Sequence, residues 1–213
     1  MHYGFIPLPD GSNWGEIARL VYENAYPVVG EENKRMIWRA GIDIGGGKYA
    51  DSIDTQTERV YDFLRQYGGE KIKATKGASG SYLLHKIKIT TLDNSTSKAA
   101  SKAASRGIEI LTLDTAAFKD AIWYRINQTN AGRLTFHKDC REDIFRHILA
   151  EEKRKDRRGK TEWVRIARDN HLLDCMVIAF AMADSEYLGG VKMIATLRET
   201  NNNIVLKKSP WRI

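Results

Sequence analysis

Residues 39–47 read RAGIDIGGG, the end of an apolar-rich run from Arg35 to Ile44. Its length and the glycines that bound it predict a buried strand whose chain turns sharply at its C-terminal end. Asp43 closes that strand. An acid in this position, beside glycines that leave the backbone open, stands where α/β sheets place ligand-binding and catalytic groups. The plainer alternative is a turn aspartate that binds its own loop amides. Downstream, Val60, Phe63, Leu64 and Tyr67 sit at i, i+3, i+4 and i+7, an amphipathic helix stopped by Gly68 and Gly69, and Lys71 to Thr75 reads as the next strand. Strand, helix, strand at this length predicts a parallel pairing through a crossover helix, hence an α/β fold with a mixed sheet.

Upstream, Asn13 and Glu16 form a capping-box pattern, and Trp14, Ile17, Ala18, Val21 and Ala25 continue it as a helix up to Tyr26. Further along, Leu84–Thr90 alternates as a strand, and residues 97–106, SKAASKAASR, form a low-complexity repeat expected to be a mobile surface segment. Ile108–Asp114 reads as a strand, Phe118, Ala121, Ile122 and Ile126 as a helix, and Arg133–Lys138 as a strand. Ile144, Phe145, Ile148 and Leu149 mark a helix that runs out into Glu151–Lys160. After a strand at Glu162–Ala167 comes a helix, His171–Leu188, almost wholly apolar from Leu172 to Ala183 apart from Asp174, and so expected to be buried on most sides. The expected organisation is a helical segment over 1–34, the α/β domain over 35–189 and a basic polar tail over 190–213, partly ordered at best.

The chain has 213 residues, of which 34 are Lys or Arg against 27 Asp or Glu, a formal charge of +7. That balance favours a polyanionic partner such as nucleic acid, although a modest lysine excess also serves solubility alone. Cys140 and Cys175 stand far apart and the five histidines are scattered, which argues against a disulfide framework or a structural zinc site. No apolar run approaches a membrane span and the N-terminus lacks a signal-peptide pattern, so a cytoplasmic location is expected. Gly45-Gly46-Gly47-Lys48-Tyr49 has neither the spacing nor the hydroxyl residue of a Walker motif, which excludes ATP binding of that type.

Asp174 falls in the first turn of an otherwise hydrophobic helix. An ionised carboxylate there needs a cation, a donor or the helix N-terminus to compensate it. A strand-end acid and a helix-borne acid converging on divalent cations would suit Mg²⁺ or Mn²⁺ and phosphodiester hydrolysis, while dipole and capping interactions are the bland account. Lys76 at a strand end could touch a phosphate or be merely exposed. Asp114 could supply a further metal ligand or cap the next helix, and Lys119 nearby is a candidate DNA contact. The run Lys153–Lys160, including Arg157 and Arg158, could track DNA or form a solvated face.

The ordered series RAGIDIGGG, ERVYDFLRQYGG, KIKATKGASG, LTLDTAAFKD with WYRI, LTFHK and RDNHLLDCMVIAFAMA resembles the C-terminal nuclease domain of lambda-type tailed-phage terminase large subunits over residues 35–183. The resemblance implies an RNase H-like, metal-dependent endonuclease that cuts concatemeric double-stranded phage DNA with a two-metal site. Asp43 matches the acid after the central strand and Asp174 the acid of the family's N-E-A-L-D-C helix. It further implies portal protein and terminase small subunit as partners, in the cytoplasm of a bacterial host. The family's first acid lies on a strand upstream of the matched region, for which Asp10 is a poor substitute, and His171 replaces the usual glutamate. The expectation is therefore a domain truncated at its N-terminus and weak or inactive alone. A non-catalytic module that docks DNA or portal is the alternative. GIDIGGG also resembles the phosphate-binding strand of actin-like kinases, whose downstream glycine-rich motifs are missing.

Overall fold

The computed structural model describes residues 14–193 apart from 29, 46–55, 70, 81, 92–106, 131 and 137. In chain order the elements are α1 (Trp14–Tyr22), β1 (Ala25–Tyr26), β2 (Arg35–Met36), β3 (Ala40–Asp43), α2 (Gln56–Phe63), β4 (Ile72–Gly77), β5 (Ile87–Thr91) and β6 (Glu109–Leu113). There follow α3 (Thr115–Ile126), α4 (Glu142–Ile148), β7 (Glu151–Lys155), β8 (Thr161–Arg165) and α5 (His171–Ala183). A four-stranded sheet in the order β3-β4-β6-β5 is the scaffold. The parallel pairs β3–β4 and β4–β6 follow from the helix and long connection between them, and β5 runs antiparallel at the edge.

Strand alternation sorts the side chains onto two faces. Ile72, Ala74 and Ile110 point towards α1 and α2, where Ala18, Val21, Val60, Phe63 and Leu64 close one core. Leu111, Leu113 and Ile87 point the other way, into a second core with Phe118 and Ile122 of α3, Ile144 of α4 and Leu172, Met176 and Val177 of α5. Gly41 and Asp43 lie on this second face. Gly41 is required there: a Cβ would lie 2.4 Å from Ile178 Cγ2 and 2.9 Å from Thr75 Cγ2, so only glycine lets α5 rest directly on β3.

The expected mixed sheet is present, and several boundaries differ. The first helix stops at Tyr22, because Ala25–Tyr26 pairs with Arg35–Met36, and this pairing also breaks the long strand expected from Arg35. The second helix ends in a wider π turn over Leu64–Gly68, after which Gly69 takes φ 56°. No strand forms among the described residues of 133–138; Leu134 and Phe136 pack against the core as side chains without a partner strand. The helix at Ile144 does not continue into the charged run. It ends at Ile148, and Glu151–Lys155 pairs antiparallel with Thr161–Arg165 around a turn in which Gly159 has φ 78°. Helix α5 ends at Ala183 and is buried along one side only: His171, Asp174, Cys175 and Ala179 form an exposed stripe, because the sheet and α3–α4 cover just the opposite arc. The repeat at 97–106, Asn13, Asp10, Lys48 and the tail beyond 193 lie outside the described residues.

Candidate active site

Asp43 ends β3 on the face that α5 covers, and its carboxylate folds back on the glycine behind it. Oδ1 accepts a hydrogen bond from the Gly45 amide at 3.1 Å, and a side chain at 45 would crowd both oxygens. The loop-binding role thus leaves the second oxygen without a hydrogen-bond partner among the described residues. Directly opposite in register is Thr75, 1% exposed, whose hydroxyl has no hydrogen-bond partner among the described residues.

Asp174 sits one turn into α5, facing water. Partial desolvation pushes its carboxyl above the ordinary range; Lys119 draws it back, Glu151 raises it, Arg165 lowers it and Asp43 raises it. The thiol of the adjacent Cys175 is likewise pushed up, by partial desolvation first and then by Asp174 and Asp43. The structure therefore brings Asp43 and Asp174 within electrostatic reach on one side of the sheet.

Beneath Asp174 runs a buried polar brace. Glu151, at the start of β7 and 8% exposed, accepts from Lys119 Nζ at 2.6 Å through one oxygen and from Asn170 Nδ2 at 2.8 Å through the other. Asn170 precedes α5 but does not cap it with its side chain; its backbone carbonyl receives the amides of Leu173 and Asp174. The brace therefore fixes the first turn that carries Asp174. Glu151 does not stand out in the sequence, and Asn170 is marked only by its place in the RDNHLLDC match. An asparagine before a helix signals a cap, and an acid in a charged run signals a solvated face.

The other candidates separate. Asp114 is fully buried: Oδ1 accepts from Ala117 N and caps α3, and Oδ2 accepts from Leu83 N at 2.5 Å. Lys119 is held in the brace. Lys76 is exposed on the sheet face opposite Asp43, where it lines an open cleft of about 460 Å³ with Lys88, Thr90 and Thr112. Arg157 and Arg158 lie exposed in the turn between β7 and β8. Nearby, Tyr82 donates its hydroxyl to Asp120 at 3.1 Å, while Leu84 is 94% exposed.

A mixed sheet flanked by helices, with an acid at a strand end and another on the helix packed over that strand, fits the class of nuclease domains. The family model for the terminase large subunit gpA, endonuclease domain, matches residues 9–192, and the chain belongs to that family. Comparison with curated proteins and with solved structures returned no match. Among the described residues no helix is long and apolar enough to cross a membrane.

Proposed function

We propose that this chain is a divalent-metal-dependent endonuclease with an RNase H-like arrangement, which cuts concatemeric double-stranded DNA for packaging, with Asp43 and Asp174 as its metal-binding acids. The observation that carries the reading is the convergence of these two carboxylates on one sheet face, each raising the charge cost on that side, with no direct ion pair to either among the described residues. Oxygen donors that repel one another and face water fit a hard cation. Mg²⁺ or Mn²⁺, bound as a pair, would activate a water nucleophile and stabilise the leaving oxygen of the phosphodiester. Asp43 would be oriented by the Gly45 amide and Asp174 by the Glu151–Asn170 brace, while the cations Lys119 and Arg165 offset the negative charge of approaching phosphates. Lys76, Arg157 and Arg158 belong to this reading as DNA contacts, with portal protein and terminase small subunit as partners in the host cytoplasm.

One observation favours a second reading, a module that docks DNA or portal without cutting: among the described residues no three His, Cys, Asp or Glu side chains form a group able to hold a metal. Metal binding separates the two. Relaxation of supercoiled plasmid should require Mg²⁺ or Mn²⁺, and Asp43→Asn or Asp174→Asn should lower its rate by about 100-fold or more while leaving DNA affinity in place. Loss of Mn²⁺ binding in the same variants, read by electron paramagnetic resonance, should accompany it. A protein that binds duplex DNA but no Mn²⁺ is the docking module instead.

A further inference from the structure

The charges of the β7–β8 ribbon are sorted by position. Near its base they are paired: Glu151 with Lys119, Lys153 with Asp120, and Arg154 with Glu152. At the tip they are not. Lys155, Arg157, Arg158 and Lys160 are exposed and have no ion-pair partner among the described residues. The single acid in the turn, Asp156, spends Oδ1 on the backbone amides of Arg158 and Lys160, 2.8 Å each, and so shapes the turn. A solvated face mixes its signs; this tip concentrates one.

The ribbon is also fixed in direction. Asp120 of α3 accepts from Lys153 Nζ at 2.7 and 2.8 Å and from Trp163 Nε1 at 2.9 Å, which pins the middle of both strands to the body. Arg165 stands opposite Glu151 in register, exposed and without an ion-pair partner among the described residues, and its charge acts on Asp174. The base of the ribbon is therefore at the first turn of α5, which carries Asp174, through Glu151 and Asn170, and its tip is held away from it. Five residues of strand span about 17 Å, or about five base-pair steps of duplex.

We propose that the β7–β8 ribbon is the arm that holds duplex DNA on the cutting site, gripping backbone phosphates from its unpaired basic tip back to Arg165. The inference rests on the nuclease reading above, and it commits to the phosphodiester backbone as the occupant because unpaired cations at a rigid tip, in a chain of net charge +7, suit a polyanion. A two-stranded ribbon has the width the major groove admits.

The test is fluorescence anisotropy of a mixed-sequence duplex of about 30 base pairs, titrated in EDTA over a range of salt. The triple variant Arg157→Gln/Arg158→Gln/Lys160→Gln should bind at least ten times more weakly, with the slope of log K against log salt reduced by about 2.7; Arg165→Gln should reduce it by about 0.9. The matched variant Arg19→Gln/Lys34→Gln/Arg35→Gln, on the α1–β2 side, should keep the wild-type slope. Wild-type binding retained in the tip variant, or weakened equally in the matched one, overturns the ribbon assignment and leaves the nuclease reading standing. A wild-type chain that binds no duplex at any salt overturns both.

Discussion

Asp174 is ionised against its surroundings, and the direction of that strain has a consequence for pH. The unfolded carboxyl titrates near 3.9, and the folded one higher, because desolvation and the Glu151 and Asp43 charges outweigh Lys119 and Arg165. Above the folded value both states are ionised and the cost to the native state is fully present. As pH falls through the folded value the native state takes up its proton first, and below the unfolded value the cost is gone. Asp174→Asn should therefore raise Tm by about 1–2 °C at neutral pH, its exposure to water keeping the gain small, and by nothing near pH 3. Thermal unfolding at the two pH values checks it; equal gains at both would mean that another effect of the amide dominates. The placement of Asp43 at a strand end and of Asp174 in a first helical turn was legible in the sequence because each is an acid inside an apolar period. Glu151 was not, since its partners Lys119 and Asn170 lie 32 and 19 residues away and nothing local marks it as buried.

Helix α5 and strand β3 touch where a glycine removes the side chain that would separate them. Gly41→Ala places a methyl 2.4 Å from Ile178 Cγ2 and 2.9 Å from Thr75 Cγ2, both branched side chains in packed surroundings. The overpacking should cost about 1–3 kcal/mol in urea denaturation. The helix must also lift from the strand, carrying Asp174 away from Asp43, so cleavage should fall about 10- to 100-fold with DNA affinity unchanged. An alanine variant as stable as wild type would show that α5 adjusts freely. The sheet strands were legible because their apolar alternation is local. The second strand of the ribbon was read as a strand, but its first was read as a helix extension because Glu-Glu-Lys-Arg-Lys carries no strand signal of its own; pairing with Thr161–Arg165 and the left-handed Gly159 decide it. The expected strand at 133–138 failed for the converse reason, since an apolar run without a partner strand packs as side chains.

Across the whole molecule one sheet separates two cores, and the ribbon is joined to the body by ion pairs more than by apolar contact. Glu151→Ala would leave Lys119 as a buried unpaired charge and Asn170 without its acceptor, at a cost of about 3–5 kcal/mol. Lys119→Met/Glu151→Met removes both charges together and should cost less than Glu151→Ala alone. Chemical denaturation of the three proteins reads the order, and a double variant less stable than the single one would mean that the pair itself contributes net stability. The two carboxylates of α3 tie down a different part of the surface. Asp114 caps the helix with one oxygen and holds Leu83 with the other, and Tyr82 reaches Asp120 further along the same helix. Residues 82 and 83 are thus tethered to α3 at two points, one at its N-cap and one a turn and a half further on. Leu84, next in the chain, is held out to water by those two tethers, so its bare apolar surface belongs to the folded molecule wherever both hydrogen bonds are made.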